Sequence, residues 1–114
     1  MRNEIYREAT KLIRSRSNDA LRIVFRYTQD TIDIMYIDEQ ILNEDLLPRI
    51  ERLRTRALEI AEMSAATTIT AYGELETILA THDDAIILYL LAGDDEGIIA
   101  THDRTEAPFN NELL

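Results

Sequence analysis

The first apolar residues recur at helical spacing. Ile5, Tyr6, Ala9, Leu12 and Ile13 stand at i, i+1, i+4, i+7 and i+8, and Asn3 occupies a capping position. A helix is expected from Asn3 to about Ser15, with Arg7, Lys11 and Arg14 as a second stripe away from the apolar one. Turn formers between Ser15 and Asp19 end it. The period then drops to two. In Ala20 to Tyr27, Leu21, Ile23, Phe25 and Tyr27 face one way and Arg22, Val24 and Arg26 the other. Thr31 to Ile37 alternates again. A hairpin turning on Gln29-Asp30 keeps both apolar sets on one face and pairs Phe25 with Ile34, Val24 with Met35 and Arg26 with Asp33.

Helical spacing returns after Asp45, the expected cap, with Pro48 in the first turn where a missing N–H does no harm. Leu46, Leu47, Ile50, Leu53, Ala57, Ile60 and Ala61 form the expected buried stripe, Arg49, Arg52, Arg56 and Glu59 the exposed side, and the helix reaches about Met63. Ala65 to Tyr72 fits a strand or a helical continuation, because threonines favour the first and alanines the second. After Gly73, Glu74 to Thr81 alternates, His82-Asp83-Asp84 turns, and Ala85 to Ala92 is apolar on both faces, as a strand in the middle of a sheet would be. Gly93 to Gly97 reads as a hairpin loop, and Gly97 to Thr101 as the last strand.

The order is α-β-β-α-β-β-β. The expected fold is α+β, a single mostly antiparallel five-stranded sheet with two helices packed on one face. Residues 1–103 form the domain and 104–114 a polar C-terminal tail, in which Phe109, Leu113 and Leu114 could dock. A chain of 114 residues fits one domain, and its 46% hydrophobic content can supply a core.

Charge changes this picture more than composition does. Twelve basic and 22 acidic residues give a net charge of −10, and eleven of the twelve bases are Arg. Scarce lysine with abundant carboxylates is what multimolar salt favours, since the Debye length falls to roughly 3 Å at about 1 M. Without salt the same charge opposes compaction. A high-salt, haloarchaeal-type cytoplasm is the expected setting. The absence of cysteine agrees with a cytosolic place and removes thiolate chemistry. Met1 to Arg16 carries charges throughout, so no secretory signal is expected there, and no apolar run is long enough for a membrane helix. The charge is uneven: residues 1–26 carry net +4, 27–48 carry −6, 49–56 carry +3 and 57–114 carry −11.

The segments Leu21 to Tyr27, Ile34-Met35-Tyr36, Gly73-Glu74-Leu75, His82-Asp83-Asp84-Ala85 and Gly93 to Gly97 resemble a group of short, acidic haloarchaeal proteins of unknown function, over roughly residues 5–103. The element order is also similar to roadblock and profilin-like domains. That resemblance implies a small domain that dimerises and acts as a scaffold or GTPase-associated module; fold alone does not decide function.

Candidate chemistry is sparse. Ala80-Thr81-His82-Asp83 recurs as Ala100-Thr101-His102-Asp103, and these are the only histidines. A metal or acid–base pair would need them close. They fall on strands flanking a third, roughly 10 Å apart at 4.8 Å per strand, against about 2 Å from each nitrogen to a zinc ion. They read instead as two strand-end turns. Asp94-Asp95-Glu96 lacks EF-hand spacing and reads as a solvated hairpin. No GxxxxGK[ST] or GxGxxG phosphate loop is present, and Ser15, Ser17 and Ser64 lie in no GxSxG context. No catalytic, cofactor or metal residue is therefore assigned, and no enzyme is expected.

Two readings remain. The first is a protein-interaction or assembly module, self-associating as a homodimer through a strand edge or apolar helix face. The second is a nucleic-acid-associated regulator using Arg7, Lys11, Arg14, Arg49, Arg52 and Arg56, which could contact phosphates if both stripes shared a surface. Those six could equally meet a partner's acidic surface, or pair with Glu4, Glu8, Glu51 and Glu59.

Overall fold

The computed structural model describes residues 2–42, 45–66, 77–93 and 95–104. Its elements are helix α1 (Arg2–Ser17), strands β1 (Leu21–Thr28) and β2 (Ile32–Ile37), helix α2 (Leu46–Ala66), and strands β3 (Thr77–Thr81), β4 (Ala85–Leu91) and β5 (Glu96–Asp103). Single 3₁₀ turns at Asn18–Ala20 and Glu39–Ile41 follow α1 and β2. The fold is α+β with the expected element order. All strand pairs are antiparallel, and the sheet order is β2-β1-β5-β4-β3.

The helices do not share a face. On one side of the sheet, Ile23, Phe25, Tyr27, Ile87, Tyr89 and Ile99 pack with Ile50 and Ala57 of α2. On the other, Leu21, Val24, Ile98 and Ala100 pack with Tyr6 and Ile13 of α1. The cause lies in β1 and β5, which are apolar on both faces. Val24, Phe25, Ile99 and Ala100 have no exposed surface at all. Burying a side chain such as Phe25 or Ile99 contributes about 1.5–3 kcal/mol, so each face needs a cover. Arg22 and Arg26 mark the Val24 face as solvated in the sequence pattern. In the fold, Arg26 is half-buried and its guanidinium lies 4.5 Å above the Tyr6 ring of α1.

The first hairpin turns on Gln29-Asp30, as expected: the Thr28 amide donates to the Thr31 carbonyl at 2.9 Å. Phe25 pairs with Ile34 and Arg26 with Asp33. Val24 meets Tyr36 rather than Met35, because a bulge between the two pairs leaves Met35 as an extra residue. Met35 then packs against the α1 side, its sulfur 3.4 Å from Thr10 Oγ1.

Each helix buries a narrower row than its apolar stripe. In α1 the buried residues are Tyr6, Thr10, Ile13 and Ser17, while Ile5 and Leu12 are 65% and 56% exposed. Thr10 and Ser17 can lie in that row because their hydroxyls are satisfied, Thr10 Oγ1 donating to the Tyr6 carbonyl at 2.8 Å. In α2, Ile50, Ala57 and Ala61 are buried and Leu53 and Ile60 half-buried, but Leu47 is 58% exposed. The Arg49 amide donates to the Asp45 carbonyl at the start of α2. Ala65 and Ala66 continue the helix; Thr67 to Glu76 and Thr105 to Leu114 lie outside the described residues.

β4 is interior, between β3 and β5, and the middle place belongs to β5. β5 runs from Glu96 to Asp103, longer than its sequence pattern at both ends. Gly97 is required there by close approach. A Cβ at Gly97 would run into the Leu90 carbonyl oxygen and stand 2.8 Å from Tyr27 Oη. Burial, with the negative charge of Asp95 and Glu96 adding to it, pushes the Tyr27 phenol up to about 12.

Candidate interaction surface

The two cationic stripes lie on opposite sides of the sheet, since α1 and α2 do. They form no common surface. On α1, Arg7, Lys11 and Arg14 are exposed. Lys11 reaches Glu8 at 3.6 Å, and Arg14 sits 4.7 Å above the Tyr36 ring. Both contacts are exposed or edge contacts of the kind that contribute under about 1 kcal/mol.

The α2 stripe has a different setting. Arg49, Arg52 and Arg56, at i, i+3 and i+7, stand on the flank of α2 that faces the β3–β4 hairpin. Between helix and hairpin lies a groove of about 510 Å³. Leu53 and Ile60 line it from the helix, Ile78, Ala80, Ile87 and Tyr89 from the sheet, and His82 from the β3–β4 turn. Arg56 meets Glu59 at 3.6 Å on the exposed helix side. Among the described residues, Arg49 and Arg52 form no ion pair. Burial pushes the Tyr89 phenol up, and the nearby positive charge of Arg56 works against that rise. The groove thus joins an apolar floor to a guanidinium rim, in a protein whose net charge is −10.

The repeated Ala-Thr-His-Asp segments have unlike settings. His82 is exposed in the turn between β3 and β4. His102 is 1% exposed within β5, opposite Ile86. The Ile86 carbonyl can only accept, so His102 Nδ1 donates to it at 3.3 Å. In the neutral ring Nε2 then accepts from Ser17 Oγ at 2.9 Å. Burial pulls the imidazole below its ordinary 6.5, only partly offset by the Ile86 contact. Ser17 is itself buried, so the pair ties the end of α1 to β5 and offers no surface to a substrate. No group of three His, Asp or Glu able to hold a metal occurs among the described residues.

Glu96 belongs to β5 instead of a solvated loop, and it accepts from Tyr6 Oη at 2.7 Å; Asp94 lies outside the described residues. One feature had no signal in the pattern. Arg22 bridges Asp38 and Asp103, each at 3.1 Å, and also donates to the Asp19 carbonyl at 2.8 Å. It fastens together the α1–β1 turn, the end of β2 and the end of β5.

The sheet has two outer edges of unequal character. β2 carries Asp33 and the Met35 bulge, both of which blunt an edge. β3, Thr-Ile-Leu-Ala-Thr, has no charge and no proline, and pairs in regular register along its whole length with β4. Its Leu79 is 44% exposed.

A family model for a domain of unknown function, DUF7522, matches residues 7–114. The chain belongs to that family. Comparison with curated proteins and with solved structures gave no match. The DUF7522 match continues past β5 to residue 114. No helix among the described residues is long and apolar enough to cross a membrane.

Proposed function

We propose that this protein is a non-enzymatic interaction module of a high-salt cytoplasm, and that it assembles first with a second copy of itself along β3. The observation that carries the reading is the unblunted outer edge at Thr77–Thr81. An edge strand without charge, proline or bulge presents open N–H and C=O groups to another strand. Two such edges, brought together by a two-fold axis, extend one sheet into the next. The element order, similar to roadblock and profilin-like domains, agrees with a small dimeric scaffold.

Mass in solution tests this directly. Light scattering in high KCl should give twice the chain mass over a range of concentrations. Leu79→Lys combined with Thr77→Lys should return the mass to that of one chain, with far-UV circular dichroism unchanged. A wild-type protein that stays monomeric at every concentration, or a dimer indifferent to these lysines, would sink the edge reading.

The competing reading is nucleic-acid association. It would now rest on Arg49, Arg52 and Arg56 alone on one side, and on Arg7, Lys11 and Arg14 alone on the other. Three phosphate contacts give a shallow salt dependence, with a slope of about −2 to −3 in log K against log salt. Binding abolished by Arg52→Glu with Arg56→Glu would favour it.

A further inference from the structure

We propose that the groove between α2 and the β3–β4 hairpin binds a small amphipathic carboxylate, an organic acid with one anionic head and an apolar body. Tyr89 lines this groove and is only 3% exposed, yet among the described residues its hydroxyl has no hydrogen-bond partner. A buried tyrosine normally satisfies its O–H. In Tyr89 that O–H is a donor open to a ligand in the groove. Burial pushes the phenol up, so it stays protonated at neutral pH and donates to an anion instead of repelling it.

The rim supplies the matching charge. Among the described residues Arg49 and Arg52 form no ion pair, although the chain holds 22 acidic residues. Arg56 meets Glu59 at 3.6 Å, through side chains that are both largely exposed. A guanidinium takes a carboxylate through two parallel N–H···O bonds, which fixes the orientation of the head. The volume of about 510 Å³ falls within the range of small-ligand sites, roughly 300–1,000 Å³. Ile78 and Ile87 give the floor an apolar surface for the body of the ligand. A bare inorganic anion would gain nothing from that floor, and a neutral hydrocarbon nothing from the rim. In about 1 M salt the Debye length is roughly 3 Å, so distant attraction fades and the head must touch the guanidiniums. The site lies within one chain, so it goes beyond the pairing of two copies along β3 and does not depend on it.

Cinnamate is the probe, and cinnamamide is its uncharged counterpart. Each is titrated into the full chain in high KCl and followed by amide-correlation NMR. Cinnamate should bind saturably and shift the amides of Ile78, Ile87 and Tyr89. Cinnamamide should bind about tenfold more weakly, because it lacks the hydrogen bonds to a charged group. Arg49→Gln with Arg52→Gln should weaken cinnamate by about tenfold and leave cinnamamide unchanged. Tyr89→Phe keeps the ring and should weaken cinnamate several-fold. Unchanged spectra away from the groove show that each variant is folded. No saturable shift up to millimolar probe would overturn the proposal. Equal binding of the two probes would do the same, as would cinnamate binding that both variants leave intact. A short Glu-rich peptide that binds where cinnamate does not would assign the groove to a protein segment and overturn the small-ligand reading.

Discussion

His102 is the residue with the sharpest consequence. It is 1% exposed and held neutral between Ser17 and the Ile86 carbonyl. Burial lowers its pKa in the fold, so the unfolded chain binds the proton more readily. Its contribution is therefore present above about pH 6.5, the ordinary value, and is lost as pH falls through the range below it. Urea unfolding of wild type and His102→Gln between pH 8 and pH 5 should show the variant less stable at pH 8. The gap should shrink as the pH is lowered; a constant gap would mean the imidazole is not held neutral. The sequence marks both histidines by the same tetrapeptide. It does not separate them, because the burial of one is set by α1 closing over β5, a contact between residues 85 positions apart. Arg22 was equally silent: its three acceptors come from three separate turns and strand ends, and no local spacing joins them.

At the scale of elements, type and order were legible and faces were not. Periods of 3.6 and 2 located both helices and the strands, and the two-residue hairpin loop placed Phe25 opposite Ile34. The Met35 bulge was hidden, since one extra residue inside an apolar run leaves the pattern readable as simple alternation. Counting apolar residues also overstated the buried rows. α2 rests on β4 and β5 through one narrow row, so neighbouring apolar positions differ greatly in weight. Ile50→Ala should cost about 2–4 kcal/mol, the range for a buried aliphatic truncated without collapse. Leu47→Ala, three residues away and 58% exposed, should change stability by no more than about 0.5 kcal/mol. Equal losses in denaturant melts would mean that α2 is rotated from the orientation described. Opposite-face packing of the helices follows from double-sided burial of β1 and β5, which the arginines flanking Val24 disguised.

For the whole molecule, the dominant fact is a charge of −10 carried by 114 residues. Self-repulsion of that size falls as ions screen it. The melting temperature should rise steadily as KCl is raised from about 0.1 M to about 2 M, and a flat profile by differential scanning fluorimetry would remove the high-salt reading. The candidate surface was partly legible, because its three arginines stood out as a helical stripe. Its floor was not, since Ile78, Ile87 and Tyr89 come from strands whose position under α2 depends on the sheet order. That order has one more effect. β5 is synthesised last, yet it lies between β1 and β4 and joins the two halves of the sheet. Before it emerges from the ribosome, β1–β2 and β3–β4 are separate hairpins, each at best marginal in water. A chain truncated before Glu96 lacks the strand that joins the two halves of the sheet, and it should be digested faster than the full chain in limited proteolysis.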